Sequence, residues 1–239
     1  MSMHLAAGQS ALDLIPFVAA AAAMPLFSIY NGTRIARAPD APLIPRYAQT
    51  LARGAAVTLL LLGLWTYTGR PLARLGLDWP IGNIGLIMLG LVGVAAVILG
   101  AQLIFLGRVT KPNRIARFHA QIREIKILPR TTPELYVFLL VAGMAGVWEE
   151  LLYRGFLLWF LEPYLTIWGA VAFSTAVFAL GHIYQGWKGI PRAGGIGLLF
   201  AIGYVFSASL WWLIALHALV DLFGGLAAWR VLRMPAPPA

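Results

Sequence analysis

The sequence predicts an all-α polytopic membrane protein, a bundle of about seven or eight transmembrane helices that encloses a polar cavity within the membrane. Of its 239 residues, 60% are hydrophobic and only 11% are charged, and the mean hydropathy is +0.80. A soluble domain carries about 25% charged residues. The segment from Ile81 to Gly107 contains no charged residue over 27 positions. About 20 apolar residues suffice to cross the hydrocarbon core, so this segment alone indicates a membrane span.

Seven segments are predicted to span the membrane, roughly residues 12–30, 54–69, 81–107, 134–161, 166–183, 194–207 and 209–229. The fourth is longer than a simple crossing, so we expect it to tilt, kink or divide, and division would give an eighth helix. Before it, Ile115, Phe118, Ile122 and Ile125 recur at helical spacing among basic residues. This pattern fits either a helix in the membrane interface or a solvated basic loop that only fixes topology.

The placement of basic residues predicts the orientation. Fifteen of the 18 Lys and Arg residues fall on one side if the N-terminus is outside, in residues 31–53, 108–133, 184–193 and the tail after 229. Because positive charge accumulates in cytoplasmic loops, we expect an external N-terminus and a cytoplasmic C-terminus. This distribution also accounts for the net charge of +9 without a nucleic-acid partner. Only three basic residues are lysines, a usage typical of GC-rich bacterial genomes, so we expect a bacterial inner membrane.

Most of the charged and titratable residues within apolar segments lie together in the C-terminal half of the chain. We therefore predict a single membrane domain in which residues 1–130 form N-terminal transmembrane helices and a basic cytoplasmic loop, and residues 131–234 form the core that carries the candidate catalytic residues. The chain has no cysteine, which excludes disulfides, thiolate nucleophiles and thiolate metal ligands.

Glu149, Glu150 and Arg154 lie inside an otherwise apolar segment. A charged side chain at bilayer depth costs at least ~2.5 kcal/mol, which favours a function for such residues. Glu150 and Arg154 are four residues apart and can pair on one helix face. Glu149 points about 100° away and has no local partner, so it is a candidate general base or acid. The alternative is that both glutamates only anchor neighbouring helices.

His182, His217 and Asp221 are the other titratable residues in apolar surroundings. His182 by itself is typical of a satisfied interfacial histidine. His217 and Asp221 share one face of a predicted span, which indicates that they point into the bundle interior. With Glu149 they supply a base for water and donors for an oxyanion, as peptide hydrolysis requires. Alternatively, His182, His217 and Asp221 could bind Zn²⁺ and leave the glutamate as base.

Three motifs resemble those of the CPBP family, which includes CAAX proteases and bacteriocin-processing enzymes. Glu149, Glu150 and Arg154 match its EExxxR motif, Phe178 and His182 its FxxxH motif, and His217 with Asp221 its HxxxN/D motif. All three occur in the family's order within residues 134–229. The resemblance implies an Rce1-like intramembrane endopeptidase that acts on a membrane-associated peptide or protein substrate in the lipid bilayer.

The resemblance also implies a role for each residue. Glu149 and His182 would activate the water, His217 and Asp221 would hold the oxyanion, and Glu150 and Arg154 would support the helix. Members have been described as metal-dependent and as glutamate-dependent without metal, so zinc and no cofactor both stay open. The eukaryotic prenyl proteases have asparagine where Asp221 stands. An ionised aspartate cannot donate to an oxyanion, so Asp221 must be protonated, orient His217 or bind a cation.

Two further functions remain compatible with the sequence. One is a non-catalytic membrane partner or bacteriocin self-immunity protein on the same scaffold. The other is a proton-coupled transporter in which Glu149 and the histidines relay protons. The family-like spacing of all three motifs favours the protease.

Overall fold

The computed structural model describes residues 5–109 and 111–234, which form helices and no strands. Within these ranges, six helical stretches are long and apolar enough to cross a membrane. This confirms the predicted all-α polytopic membrane fold. The helices are α1 (Ala11–Arg37), α2 (Leu43–Tyr67), α3 (Asn83–Leu106), α4 (Pro112–Glu124), α5 (Thr132–Glu150), α6 (Leu157–Leu180), α7 (Gly189–Ser207) and α8 (Trp211–Leu232).

The longest helical stretch, Thr132–Leu180, folds into two arms. A π-helical segment, Leu151–Phe156, continues α5 into α6 without a break, so the predicted fourth span does not divide there. The break comes at Thr166, whose backbone is non-helical with φ 60° and ψ 167°. Ser174 then donates a hydrogen bond to the Tyr153 carbonyl at 2.8 Å. Because 21 residues of continuous helix would separate these groups by about 31 Å, the chain must turn back between them. The arms correspond to the predicted fourth and fifth spans.

Helix α2 begins at Leu43, well before the predicted start near residue 54. Arg46 and Arg53 lower the hydropathy of its first turns, so a search for apolar runs places them in a loop. Pro45 does not stop the helix, because the first turn needs no backbone N–H donor. Two arginines expected in a connecting segment therefore lie on a helix.

The basic segment before α5 forms helix α4, as the interfacial interpretation requires. Ile115 is buried and Phe118 and Ile122 are partly buried, whereas Arg114 and Arg117 are exposed. The helix contacts α8. Its apolar face is therefore covered in part by protein, and its basic face remains available to solvent or lipid headgroups.

Close packing of α5 against α8 brings the functional half of the chain together. A side-chain carbon at Gly146 would lie only 2.7 Å from the Ile214 carbonyl oxygen, so the two backbones approach closely at this glycine. The buried core surrounds the π-helical segment and includes Trp65, whose ring lies 4.7 Å from that of Trp159. The approach at Gly146 places α8, which carries His217, beside the end of α5, which carries Glu149.

Candidate active site

Helix α5 has a well-defined start that sets the position of its functional end. Thr131 accepts a hydrogen bond from the Glu134 backbone N–H at 3.3 Å. The Glu134 carboxylate accepts in return from the backbone N–H groups of Thr131 at 3.0 Å and Arg130 at 2.9 Å. This reciprocal capping satisfies donors that a helix N-terminus otherwise leaves free. The helix then runs without interruption to Glu149 and Glu150, where it widens into the π-helical segment. Such widenings are frequent at functional sites.

The four predicted catalytic side chains lie together, although they come from three separate parts of the chain. The Oε2 atom of Glu149 lies 3.8 Å from Nε2 of His182 and 3.8 Å from Nε2 of His217. The same His217 nitrogen lies 3.7 Å from Oδ2 of Asp221. Glu149 and His217 are buried, whereas the Asp221 side chain is 42% exposed. One carboxylate therefore faces two imidazoles, with a second carboxylate at the edge.

Glu150 joins Arg154 to His217, and only the first of these contacts was predicted. Its Oε1 atom accepts from Nη1 of Arg154 at 2.9 Å and from Nδ1 of His217 at 2.6 Å. Glu150 is fully buried. The sequence suggested that Asp221 could orient His217, but the hydrogen bond that fixes the ring is made by Glu150. This contact joins residues 67 positions apart, so helical spacing carries no signal for it.

Arg154 is held in place by partners on two other helices. Its Nη2 donates to the Gly197 carbonyl at 3.1 Å, and its guanidinium carbon lies 4.2 Å from the centroid of the Phe178 ring. A side-chain carbon at Gly197 would lie 2.8 Å from that ring, so only glycine permits this approach of α7. The Phe200 ring also lies beside the site, with its centroid 5.9 Å from that of the His217 ring. Sequence reasoning missed Phe200, because an aromatic residue in an apolar helix gives no signal of function.

The two histidines present different groups to Glu149. Nδ1 of His182 lies 2.8 Å from the Phe178 carbonyl, which can only accept, so Nδ1 carries the proton. His182 lies beyond the end of α6, and burial lowers its pKa, which favours the neutral ring with an acceptor at Nε2. Nδ1 of His217 donates to the Glu150 carboxylate. In its imidazolium form, His217 has a second donor at Nε2.

Two carboxylate oxygens at the site are buried without a hydrogen-bond partner. Among the described residues, no donor reaches Oε2 of Glu149 or Oε2 of Glu150. Buried polar atoms are almost always paired, so such oxygens call for an explanation. Oε2 of Glu149 faces the two histidine nitrogens, where a reacting group would bind.

Glu149 and His182 border a cavity of about 130 Å³. Helices α1 and α2 form much of its wall, so residues outside the predicted 131–234 core contribute to the site. The wall includes Met24, Phe27, Asn31, Arg46, Tyr47, Thr50, Arg53, Ile127, Trp148, Tyr153 and Tyr184. The cavity thus runs from the carboxylate and imidazole groups to the basic ends of α1 and α2.

The side chains proposed as metal ligands are not arranged as a metal site. In residues 5–109 and 111–234, no three His, Asp or Glu side chains form a group that could hold a metal ion. The Nδ1 atoms of His182 and His217 are engaged by protein acceptors, which leaves only the Nε2 atom of each ring to bind another group. The zinc interpretation of His182, His217 and Asp221 therefore gains no support from this geometry.

The fold and the site together define a polytopic helical membrane protein with a buried glutamate–histidine centre. Comparison with protein families then gives a more specific similarity for part of the chain. Residues 131–223 match the family described as type II CAAX prenyl endopeptidase Rce1-like. The match covers less than half of the chain, and it confirms within this segment the resemblance seen in the three motifs. Neither a search of curated proteins nor a search of solved structures gave a match.

Proposed function

We propose that the protein is an intramembrane endopeptidase that uses Glu149 to activate water for hydrolysis of a peptide bond. The observation that carries the proposal is the position of Glu149, whose Oε2 lies 3.8 Å from a nitrogen of each histidine at the edge of a cavity. At 3.8 Å, the carboxylate and the imidazoles are too far apart for direct hydrogen bonds. The gap is suited to a water molecule bridging them.

In the first step, Glu149 removes a proton from the water as its oxygen attacks the peptide carbonyl carbon. The acceptor nitrogen of His182 orients the water through its second hydrogen. The carbonyl bond opens, and the negative charge moves to the carbonyl oxygen. The Nε2–H of His217 donates to this oxyanion. Asp221 contributes as its protonated acid, because an ionised carboxylate cannot donate a hydrogen bond. Donors placed in advance for a developing oxyanion are a major source of rate enhancement.

In the second step, Glu149 returns the proton to the departing nitrogen. The carbon–nitrogen bond breaks, the oxyanion reforms a carbonyl group, and the products are a carboxylic acid and an amine. Glu150 and Arg154 take no part in proton transfer. They hold His217 in the orientation that points Nε2 at the reacting centre, through the 2.6 Å hydrogen bond between Glu150 and Nδ1.

We further propose that the substrate reaches the site from the cytoplasmic side. The cavity wall contains Asn31, Ile127 and Tyr184, which belong to three segments that the positive-inside rule places in the cytoplasm. In this orientation the N-terminus is external, the C-terminus is cytoplasmic and the substrate is a membrane-associated peptide or protein. Residues 131–234 supply the reacting groups, and α1 and α2 close the cavity.

Reporter fusions at residues 75 and 234 test this orientation. They should give external and cytoplasmic signals, respectively.

Substitution Glu149→Gln tests the proposed chemistry. It keeps the size of the side chain but removes the base, so we expect cleavage to fall by about 10²- to 10⁴-fold, the usual contribution of general acid–base catalysis. The assay uses purified protein in proteoliposomes with a mixture of synthetic apolar peptides, and mass spectrometry identifies the products. Added chelator should leave the wild-type rate unchanged.

Glu162→Gln is the matched control, because Glu162 is exposed on the same helical stretch and does not line the cavity. It should cleave at the wild-type rate. Thermal unfolding of both variants should match the wild type, since Oε2 of Glu149 makes no hydrogen bond within the described chain. Undiminished cleavage by the Glu149 variant would reject the proposed mechanism.

A further inference from the structure

Helix α2 presents a row of polar side chains to the cavity, although it lies outside the segment that matches the family. Arg46, Thr50 and Arg53 recur at spacings of four and three residues and all line the cavity. Residues at these spacings share one helix face, and seven residues separate the two arginines by about 10.5 Å along the axis. Glu149 and His182 line the same cavity.

Both arginines have buried N–H groups that no protein acceptor uses. Across the described ranges, neither Nη1 of Arg46 nor Nε of Arg53 has a hydrogen-bond partner, and neither guanidinium lies within 4.0 Å of a carboxylate. By contrast, Arg154 is paired with Glu150, and the exposed Arg130 lies 3.3 Å from Asp40. An arginine that only fixes topology would extend its charged group into water. Arg46 and Arg53 instead keep part of their guanidinium groups buried.

The two guanidinium groups are also fixed in position. Arg46 donates through Nη2 to the Ala38 carbonyl at 2.8 Å. The guanidinium carbon of Arg53 lies 3.7 Å from the centroid of the Phe27 ring, which supports one face of the planar group. A guanidinium held in this way keeps its remaining N–H groups oriented, and its planar geometry matches a carboxylate.

Arg53 and Glu149 line the same cavity, yet they form no ion pair with each other. A peptide lying between them would have its cleaved bond at Glu149 and a neighbouring anionic group at Arg53. Carboxylate is the anion that peptides carry, either at the C-terminus or on an aspartate or glutamate side chain.

We propose that Arg53 and Arg46 form a carboxylate-binding subsite that selects substrates with a carboxylate near the cleaved bond. The inference rests on the peptidase function proposed above and adds a substrate class to it. Arg53 binds the substrate carboxylate, and Arg46 extends the subsite along the same face of α2. Hydrogen bonds to charged groups are strong enough that loss of one arginine should weaken binding by about tenfold or more.

The test measures binding without cleavage, in the full-length Glu149→Gln variant in detergent. Four libraries of randomised apolar nonapeptides serve as probes. One pair differs only in a C-terminal acid or amide, and the other pair, both amides, differs in a single fixed glutamate or glutamine. Mass spectrometry measures the fraction of each library that the protein retains. We expect at least tenfold greater retention of the carboxylate member in one pair, and the pair that shows it identifies the source of the carboxylate.

Adding Arg53→Gln should abolish that preference, and Arg46→Gln should reduce it. Arg53→Lys keeps the charge but loses the planar guanidinium, so it should retain only part of the preference. A partial preference in this variant would show that the loss in Arg53→Gln does not come from misfolding. Arg37→Gln is the matched control, because Arg37 is exposed near the same end of the bundle but does not line the cavity. It should leave the preference unchanged.

Three outcomes would overturn the subsite. The first is equal retention within both library pairs. The second is an equal effect of Arg37→Gln and Arg53→Gln, which would indicate general attraction by the basic surface. The third is unchanged peptide retention in Arg53→Gln with weaker binding to phosphatidylglycerol vesicles, which would assign the arginines to lipid headgroups. Because cleavage is not measured, failure here leaves the peptidase proposal intact, and failure of the peptidase assay leaves this binding result interpretable.

Discussion

Two buried ion pairs in this protein differ in how completely their polar atoms are hydrogen-bonded. Arg70 binds both oxygens of Asp13 at 2.7 Å, and its Nε donates to the Gly8 carbonyl at 3.0 Å. The Ser10 backbone N–H adds a further bond to Asp13 at 2.7 Å. Within the described chain, no polar side-chain atom of Asp13 or Arg70 is buried without a partner. This pair ties the start of α1 to the segment after α2 and leaves no group free to react.

The Glu150–Arg154 pair is equally buried but incompletely bonded. Oε2 of Glu150, Nε of Arg154 and Oε2 of the adjacent Glu149 have no partner among the described residues. Burial of a charge thus does not by itself indicate function, since both pairs are buried. The distinction lies in the unsatisfied atoms of the second pair and in its neighbour Glu149, which lines the cavity and retains the capacity to bind another molecule. Substitutions in the Asp13–Arg70 pair should therefore change stability alone, whereas substitutions in the Glu150–Arg154 pair should change both stability and activity.

The largest combined effect is expected for Glu150→Gln. The substitution leaves Arg154 buried without its carboxylate, and breaking a buried pair in this way costs about 3–5 kcal/mol of stability. In the proposed mechanism it also removes the negative partner of the His217 imidazolium. A neutral His217 donates through Nε2 only in the tautomer whose Nδ1 accepts from the new amide, and it is then a weaker donor to the oxyanion. We expect cleavage per folded molecule to fall by about 10- to 100-fold in addition, roughly the loss of one charge-assisted hydrogen bond. Thermal unfolding and peptide cleavage measured on the same preparation provide the two readouts.

Glu162→Gln again serves as the control, with neither readout changed. A variant that lost stability but kept its full rate per folded molecule would show that Glu150 only supports the fold. The incomplete hydrogen bonding of the Glu150–Arg154 pair would then have no functional consequence.

The membrane fold could be predicted from composition because the bilayer imposes a strong and simple constraint. Apolar segments of sufficient length gave most spans, including the separation of the two arms near Thr166. The start of α2 was missed because Arg46 and Arg53 resemble loop residues when only hydropathy is considered. Hydropathy does not distinguish an arginine in a solvated loop from one on a helix that faces a polar cavity.

The site was predicted as a set of residues, but its internal connections were not. Motif spacing predicted Glu149, His182, His217 and Asp221 as a site, and the structure brings them together, while their catalytic roles stay predictions. Helical periodicity predicted the Glu150–Arg154 pair, which the structure contains. The bond from Glu150 to His217 depends on how α5 packs against α8, and no local rule describes that packing. The contribution of α1 and α2 to the cavity wall is a tertiary contact of the same kind.

Asp13→Asn should reduce stability and leave the chemistry unchanged. The substitution removes the charge that binds Arg70 and leaves the guanidinium buried with an incomplete set of partners. We expect a loss of about 3–5 kcal/mol, as for other buried pairs that lose one member. Thermal unfolding in detergent measures the loss. Cleavage per folded molecule should equal that of the wild type, because neither residue lines the cavity.

Asp40→Asn provides the comparison for a surface pair. Asp40 is 89% exposed and lies 3.3 Å from Arg130, and such pairs contribute little to stability because solvent screens them. Unfolding should therefore be unchanged. If Asp13→Asn lowered the cleavage rate of folded protein, the fully bonded pair would be linked to the site and the distinction between the two pairs would fail.

Among substitutions at the site, the smallest effect is expected for Asp221→Asn, which tests the role of the most exposed member. If Asp221 acts as a protonated donor to the oxyanion, the asparagine amide replaces that donor, and the rate should stay within about threefold of the wild type. Asp221→Leu removes the donor and should lower the rate by about tenfold, less than for a fully buried oxyanion donor because the side chain is 42% exposed. Cleavage by the three proteins, compared at one pH, distinguishes the possibilities. A large loss in the asparagine variant would mean that the negative charge of Asp221 matters, either to His217 at 3.7 Å or to a bound cation, and the oxyanion would then depend on His217 alone.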